Sequence, residues 1–234
     1  MQRPSGMIMA KQPMGTIGYI GSKTDEPFTF SLAQLVAGCA EYVTPPGFYI
    51  HIDHAPTGDQ IGARNELVKK MQGQWLLQLD TDETFEPDLL VRMLSLFENN
   101  NLDVLTARYH YRMPPYNPVL YQYIDGKYRG LMSWDQKDKA RLLPIGAAGA
   151  GALLVRRRVF DRIRTEHKEM PFDVFPPYRF DDFNFFERCR VLGIPCYCAA
   201  QIELGHLGLT AYGSKNFNED QYPGILKKEF SIGI

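Results

Sequence analysis

Apolar and polar positions in the first half of the chain alternate between the period of a strand and that of a helix. Strand patterns occur at TIGYIG (16–21), FYIHID (48–53), QWLLQLD (74–80) and DVLTARYHY (103–111). Between them, helix-period apolar stripes follow Ser31, run from about Gln60 to Met71, and follow Pro87. A strand–helix series of this kind predicts a parallel sheet with helices on both faces and right-handed crossovers.

Two helix starts have local sequence signals. Ser31 and Gln34 have the spacing of a capping box, which predicts that the first helix begins at Ser31. Pro87 fits the first turn of the third helix, because proline has no N–H to lose there.

The second half has a different pattern. Residues 112–145 are rich in Tyr, Pro and Gly without a lasting period, which predicts a long excursion from the sheet. Regular patterns then return as a strand at 149–157, a short helix in RRVFDRIR, a helix in FDDFNFFERCRVLG that ends at Gly193, and a strand in CYCAAQIELGHLG. One α/β domain with an elaborated C-terminal half is therefore expected.

Composition narrows the class of protein. The 234 residues are 44% hydrophobic and 12% aromatic, as in an ordinary globular domain. Lys and Arg number 26 against 27 Asp and Glu, so no bulk charge favours nucleic acid or anionic membrane. No apolar run reaches membrane-helix length and no secretory leader is visible, so a cytoplasmic protein is expected. The four cysteines are expected to be free thiols in the core.

Two carboxylates follow the strand pattern QWLLQLD. Asp80 and Asp82 have i, i+2 spacing, so both can point toward one crevice at the carboxyl end of a parallel strand. A hard divalent ion such as Mg²⁺ or Mn²⁺ would relieve their repulsion. The alternative is that they cap the helix near Pro87, and the spacing alone is weak evidence because short motifs recur by chance.

Four segments together resemble the GT-A-fold glycosyltransferases of family-2 type. IGARNELVKKMQGQWLLQLDTDE resembles their "aRN" helix followed by a strand ending in D-x-D, and GAAGAGALLVRRRVFDRI resembles their "vgg..llirr.vfe.i" segment. RFDDFNFFERCRVLGIPCYC resembles "seD.dl..r.r..G..i", and IELGHLG supplies a downstream histidine. The match runs in order over about residues 14–209, and such order is far more specific than any single motif.

The resemblance implies a GT-A (Rossmann-like), mostly parallel sheet flanked by helices and a site for a nucleoside-diphosphate sugar. It implies that Asp82 binds Mn²⁺ or Mg²⁺, that Asp80 contacts the metal or the ribose, and that His206 is the third ligand. Arg64, beside Asn65 in the "RN" pair, would contact phosphate or nucleotide, although an exposed helix arginine is an equal alternative.

Two further residues complete the predicted donor side. The acidic pair that many members use to hold the base is replaced here by IHIDHAPTGD, which leaves Asp53 as the nearest counterpart. Beyond His206, LTAYGSKNFNEDQYPG has the Gly, Ser and Asn content of a mobile lid, from which Lys215 would close on the diphosphate.

The predicted acceptor side centres on Asp181 and Asp182. In inverting members the second acid of this motif takes the proton of the acceptor hydroxyl, which assigns the base to Asp182. The alternatives are that one of the pair only caps a helix, or that the enzyme is retaining and needs no such base. Aromatic residues of the excursion, Tyr116, Tyr121 and Trp134, are expected to face the acceptor or to pack over the sheet.

The resulting prediction is a single domain over 1–234, with a nucleotide-sugar-binding half (about 14–111), an acceptor half (about 112–209) and a lid or tail (210–234). The predicted activity is metal-dependent sugar transfer from a UDP- or GDP-sugar to a hydroxyl of a saccharide, lipid, protein or modified DNA base. LVRRR and RIR, within 154–164, add local positive charge that a DNA acceptor could use. The alternatives are a nucleotidyltransferase, although TIGYIGSKTDEP lacks the G-x-G-x-R segment, and a non-catalytic binding protein.

Overall fold

The computed structural model describes residues 11–21, 23–56, 59–131 and 141–208. The first half contains β1 (Gln12–Ile20), α1 (Glu26–Tyr42), β2 (Phe48–Ala55), α2 (Gln60–Lys70), β3 (Trp75–Asp80), β4 (Glu83–Thr84), α3 (Leu89–Asn99) and β5 (Val104–Arg108). The second half contains β6 (Leu120–Ile124), β7 (Lys127–Gly130), β8 (Leu142–Ile145), β9 (Ala147–Ala148), β10 (Ala152–Arg156), α4 (Arg157–His167), α5 (Asp181–Val191), β11 (Cys196–Glu203) and β12 (Gly205–His206).

The central sheet has the strand order β2-β1-β3-β10-β5-β11-β8. β2, β1, β3, β5 and β11 run in one direction, whereas β10 and β8 run antiparallel to their neighbours. The expected α/β architecture with a mostly parallel, helix-flanked sheet is confirmed. The strand pattern at 149–157 did not predict that β10 would lie antiparallel between β3 and β5.

β10 fits this central position because it is apolar on both faces. Leu154 aligns with Leu77 of β3 and with Leu105 of β5. Leu153 packs into the core on one side of the sheet and Leu154 into the core on the other. A strand that is apolar on both faces is favoured in the middle of the sheet, because helices there cover both of its faces and keep them out of water.

Side chains of β3 alternate between the two cores, and this alternation orients the predicted site. Leu77 and Leu79 pack with residues of α1 and α3. Leu76 packs on the opposite face with residues of α2 and α4, and Gln78 reaches α2 on that same face. Asp80 follows Gln78 with the same two-residue period, so its carboxylate also lies on the α2 side.

Helix α1 begins five residues earlier than the capping-box spacing predicts. Its first residue is Glu26, and proline occupies one of the first two helical positions, which a helix start tolerates well. Ser31 is instead buried within the helix, where its hydroxyl accepts a hydrogen bond from the N–H of Phe85 at 3.4 Å.

The Tyr-rich excursion contains regular structure that the sequence pattern did not predict. β6 and β7 form a hairpin whose two-residue turn, Asp125 and Gly126, has positive φ at both positions, as a type I′ turn requires. β9 joins β6 to make a small three-stranded sheet, and β8 is an edge strand of the central sheet. The small sheet packs on α5, where the Tyr121 and Phe183 rings meet edge to face at 4.8 Å.

The four cysteines, Cys39, Cys189, Cys196 and Cys198, are free and buried, as expected. Across the described ranges, no helix combines the length and apolar character that a membrane span needs.

Candidate active site

Three potential metal ligands converge beyond the carboxyl end of β3. One ligand atom each from Asp82, Glu83 and His206 lies within 4.8 Å of the other two. The arrangement depends on β4 and β12, which pair antiparallel and place Glu83 opposite His206. Two residues of the predicted ligand set, Asp82 and His206, are therefore brought together from distant parts of the chain.

The imidazole of His206 presents a lone pair to the two carboxylates. Its Nδ1 lies 2.8 Å from the carbonyl oxygen of His110, and since a carbonyl can only accept, Nδ1 carries the hydrogen. In the neutral ring Nε2 then has the lone pair, and it lies 3.4 Å from Asp82 Oδ2. The edge of the ring also packs on Tyr109, with centroids 5.1 Å apart.

Glu83 is a buried carboxylic acid without a full set of partners. Its side chain is 1% exposed, its Oε1 lies 3.9 Å from His206 Nε2, and its Oε2 has no hydrogen-bond partner among the described residues. Burial, and then the charges of Asp82 and Asp80, raise the pKa of Glu83 well above its usual range. A buried carboxyl in this position needs either a proton or a cation.

The donor set fits Mn²⁺ or Mg²⁺. Two carboxylates and one imidazole suit Mn²⁺, and oxygen ligands suit Mg²⁺. The hydrogen bond from His206 to the His110 carbonyl also has the form of the outer-shell contact that orients ligating histidines. Sequence reasoning missed Glu83, although a third acid directly after D-x-D was visible in LDTDE.

Asp82 also has a positively charged neighbour. Arg112 Nη1 lies 3.4 Å from Asp82 Oδ2 and donates to the carbonyl of Leu207 at 2.9 Å. Burial raises the pKa of Asp82, but the hydrogen bond and charge that His206 supplies when it is protonated, together with Arg112, outweigh burial and lower it overall. Asp82 is therefore held ionised, as a metal ligand must be.

Two glycines of GAAGAG leave room for the side chains of Tyr109 and Glu83. A Cβ at Gly149 would overlap the Tyr109 hydroxyl, and a Cβ at Gly151 would lie 2.9 Å from Glu83 Oε1. The glycines that resemble the family motif therefore allow Tyr109 and Glu83 to lie against the segment that connects β9 to β10.

Gly149→Ala should destabilise the protein by about 1–3 kcal/mol, because the added methyl displaces a packed ring. Displacement of Tyr109 should also shift His206 and weaken Mn²⁺ binding. Chemical denaturation and Mn²⁺ titration measure the two effects. Gly126→Ala is the control, since it has a positive φ but open space around it; it should leave Mn²⁺ affinity unchanged. Equal Mn²⁺ affinity in both variants would contradict the packing role of Gly149.

Arg64 is buried, with 2% of its surface exposed, and each of its three nitrogens has a partner. Its Nη2 donates to Asp80 Oδ1 at 2.8 Å, its Nη1 donates to Gln78 Oε1 at 3.3 Å, and its Nε donates to Asp181. Burial opposes the charge, but Asp80 and Asp181 outweigh it and raise the pKa of Arg64. Arg64 therefore remains charged among carboxylates that meet at this edge of the sheet.

Asp182 lies in the first turn of α5 and is half-buried. Its Oδ1 accepts a hydrogen bond from the N–H of Phe183 at 2.7 Å. Burial, and then the charge of Asp181, raise the pKa of Asp182 to about 7 against the opposing effect of Arg64. A carboxylate with this pKa can accept a proton near neutral pH.

Tyrosine hydroxyls border Asp182. The hydroxyls of Tyr111 and Tyr121 are hydrogen-bonded to each other, and burial, together with the charge of Asp182, raises the pKa of both. Burial, and then the charges of Glu83, Asp80 and Asp182, raise the pKa of Tyr109, so its hydroxyl lies near these three carboxyl groups. Tyr121 is thus placed beside Asp182, whereas Tyr111 was not singled out from sequence.

The other predicted site residues are spread over the structure. Asn65 points away from Asp80, with its amide bonded to Asp173 at 2.7 Å and to the N–H of Phe172 at 3.0 Å. Asp53 lies two residues before the end of β2, near Lys70 and His51. Tyr116 has a positive φ and accepts a hydrogen bond from His110 through its carbonyl. Lys215 and Trp134 lie outside the described residues.

Comparison with known proteins assigns the family. The family model described as Glycosyl transferase family 2 matches residues 32–164, which is more than half of the chain. The chain therefore belongs to glycosyl transferase family 2. No curated protein matches it significantly.

Solved glycosyltransferase structures resemble the fold. The structure of GalNAc-T7 with UDP, GalNAc and Mn²⁺ aligns with a TM-score of 0.52 and 10% identity, covering 83% of this chain and 43% of that one. S. aureus TarS 1–349 aligns with a TM-score of 0.43 and 11% identity, covering 80% of this chain and 57% of that one. The chain thus spans about half the length of these structures.

Proposed function

We propose that the chain transfers a sugar from a nucleoside-diphosphate sugar to an acceptor hydroxyl, with inversion at the anomeric carbon. The observation that carries the proposal is that three converging metal-ligand atoms and a half-buried carboxylate with a pKa of about 7 lie at the same edge of the sheet. Tyr109 is near both groups, because its ring contacts His206 and the charges of Glu83 and Asp182 both raise its pKa. In an open α/β sheet, this edge is where ligands bind.

The donor half of the site is Asp82, Glu83 and His206, which would hold Mn²⁺ or Mg²⁺. A divalent cation supplies positive charge that neutralises a diphosphate leaving group. The residues contribute a rigid arrangement, because the β4–β12 pairing and the bond from His206 to His110 determine where the ligand atoms lie.

The acceptor half is Asp182. Its carboxylate would accept the proton of the acceptor hydroxyl as the hydroxyl oxygen bonds to the anomeric carbon and the bond from that carbon to the diphosphate oxygen breaks. A base with a pKa of about 7 is suited to this transfer near neutral pH. A retaining mechanism would give Asp182 no such role, and the stereochemistry of the product distinguishes the two.

The acceptor stays open among saccharide, lipid, protein and modified DNA base. Four of the five arginines of the basic segment donate hydrogen bonds within the protein: Arg156, Arg157 and Arg162 to backbone carbonyls, and Arg158 to Asp103. Arg164 is exposed and lies 3.9 Å from Asp161. Because these guanidinium groups are engaged, the segment gives little support to a nucleic-acid acceptor.

The proposal is tested by incubating the protein with UDP- and GDP-sugars and Mn²⁺, and measuring nucleotide release and thermal stabilisation. UDP-GalNAc is a suitable first donor, because the structural neighbour GalNAc-T7 was solved with UDP, GalNAc and Mn²⁺. We expect release of the nucleotide from at least one donor, and release that depends on the cation. Neither release nor stabilisation across the whole panel would refute the proposal.

A further inference from the structure

The two aspartates of the D-x-D segment have different surroundings. Asp82 lies with Glu83 and His206, whose ligand atoms are within 4.8 Å of one another. Asp80 is not part of this group and accepts a hydrogen bond from Arg64 at 2.8 Å. The cation beside Asp82 is the exposed Arg112, at 3.4 Å, and Asp82 also has two further potential metal ligands next to it. The cation bound to Asp80 is the buried Arg64, at 2.8 Å.

Arg64 connects Asp80 to the helix that carries Asp182. Its guanidinium binds Asp80 at the end of β3 and Asp181 at the start of α5, and Gln78 holds the third nitrogen. Gln78 in turn donates to the carbonyl of Arg64 at 3.4 Å. A planar group with three separate partners has a single orientation, so the first turn of α5 is held at a defined position relative to β3.

We propose that the two aspartates of the D-x-D segment have different roles. Asp82 binds the cation together with Glu83 and His206. Asp80 acts through Arg64 and Asp181 to position Asp182. Asp80 and Arg64 are then positioning residues that touch neither the cation nor the acceptor. The inference rests on the proposed function, because Asp182 serves as a base only if the chain transfers sugars.

Electrostatics connect the same residues. The positive charge of Arg64 favours the ionised form of Asp182 and opposes the effect of Asp181. The other ionisable groups that face Asp182 come from β3 and from the segments around β5 and β6; they are Asp80, Tyr109, Tyr111 and Tyr121. Arg64 is the cation in this group of described residues, so its removal should raise the pKa of Asp182.

The first experiment measures Mn²⁺ binding by electron paramagnetic resonance, without a sugar nucleotide. Asp80→Ala should leave the dissociation constant for Mn²⁺ within about three-fold of the original protein, whereas Asp82→Ala and Glu83→Gln should each weaken it by about ten-fold or more. Equal losses of Mn²⁺ affinity in the Asp80 and Asp82 variants would overturn the proposal that the two aspartates have different roles. This result stands even if no donor is found, so it is independent of the proposed function.

The second experiment separates charge from geometry at position 64. Arg64→Met should lower kcat. In a plot of kcat against pH, it should also move the acidic limb to higher pH, because the cation beside Asp182 is lost. Arg64→Lys should lower kcat but keep the limb near its original pH, since a charge remains without the planar fork. The donor KM should change little in both variants. A uniform loss of kcat in Arg64→Met, with the limb in place, would overturn the proposal.

Two further variants guard against misfolding. Arg157→Met removes a second arginine, which is partly buried and whose guanidinium binds the carbonyls of Gly73 and Met71; it should lower stability without moving the limb. Asp181→Ala breaks the connection without removing the buried arginine, and should lower kcat while retaining Mn²⁺ affinity. If Arg64→Met does not fold, full kcat in Asp181→Ala would overturn the proposal.

Discussion

Replacing Asp182 with asparagine should lower the transfer rate by about 10²–10⁴-fold, the usual contribution of a general base. Mn²⁺ and donor binding should be retained, because Asp182 is not among the three converging residues that we propose as ligands. The same variant should be more stable than the original protein at neutral pH. Single-turnover transfer, donor titration and thermal unfolding measure these three quantities.

The stability effect follows from the direction of the pKa shift. Burial and Asp181 raise the pKa of Asp182 in the folded protein to about 7, from 3.8 for an ordinary aspartate. Ionisation of Asp182 therefore opposes folding above pH 7, and this cost declines as the pH falls from 7 toward 4. Asp182→Asn removes the cost, so its advantage should be greatest above pH 7 and should vanish near pH 4. Each kcal/mol corresponds to about 2–4 °C in Tm.

Asp88→Asn is the matched control. Asp88 precedes α3, is exposed, and makes no side-chain capping bond, so its replacement should leave the transfer rate unchanged. The transfer rate of the original protein should fall below pH 7 as Asp182 takes up a proton. Full transfer by Asp182→Asn would mean that another group is the base or that the mechanism is retaining.

Asp82→Ala should abolish Mn²⁺-dependent transfer and weaken Mn²⁺ binding by more than the roughly 10–100-fold that loss of an outer-shell partner causes. The reason is that Asp82 is the more exposed of the two carboxylates in the group, where a cation from solution can reach it, and its Oδ2 lies 3.4 Å from His206 Nε2. Isothermal titration with Mn²⁺, with and without nucleotide, checks the result.

His206→Ala should reproduce much of this loss, because it removes the single nitrogen ligand of the group. His167→Ala is the control: His167 is the last residue of α4 and packs against Phe175, so its loss should leave Mn²⁺ affinity unchanged. If Asp82→Ala kept its dependence on Mn²⁺, the assignment of Asp82 as a ligand would fail.

Several features of the fold were visible in local sequence patterns. QWLLQLD has a buried strand period, and its carboxyl end lies at the ligand-binding edge of the sheet because β3 runs parallel to β1. α5 was predictable from its apolar stripe and from Gly193, which has a positive φ just after the helix. These signals depend only on nearby residues, which is why they could be interpreted without the structure.

Other features depend on contacts between distant segments. The apolar pattern of β10 predicts a strand but not its place between β3 and β5. Glu83 looks like an ordinary exposed acid in LDTDE, and only its pairing partner, β12, makes it buried. Pairing of strands far apart in sequence leaves no local trace, so the third residue of the ligand group was missed.

Arg64 illustrates a different difficulty. The sequence places an arginine near the start of a helix, where exposure and phosphate binding are equally reasonable expectations. Its burial depends on Asp80 and Asp181, which are 16 and 117 residues away in the chain. A residue type alone does not reveal which of several opposite charges will be its partner.

The pairing of β4 with β12 joins segments that are 121 residues apart in the chain, as the bond between Thr84 and Gly205 shows. A cation held by Asp82, Glu83 and His206 would therefore close a loop of more than half the protein, much as a covalent cross-link does. Partly folded chains lack this loop and so lack the site. At a concentration 100 times its dissociation constant, a cation that binds only the folded chain adds about 2.7 kcal/mol to the free energy of unfolding.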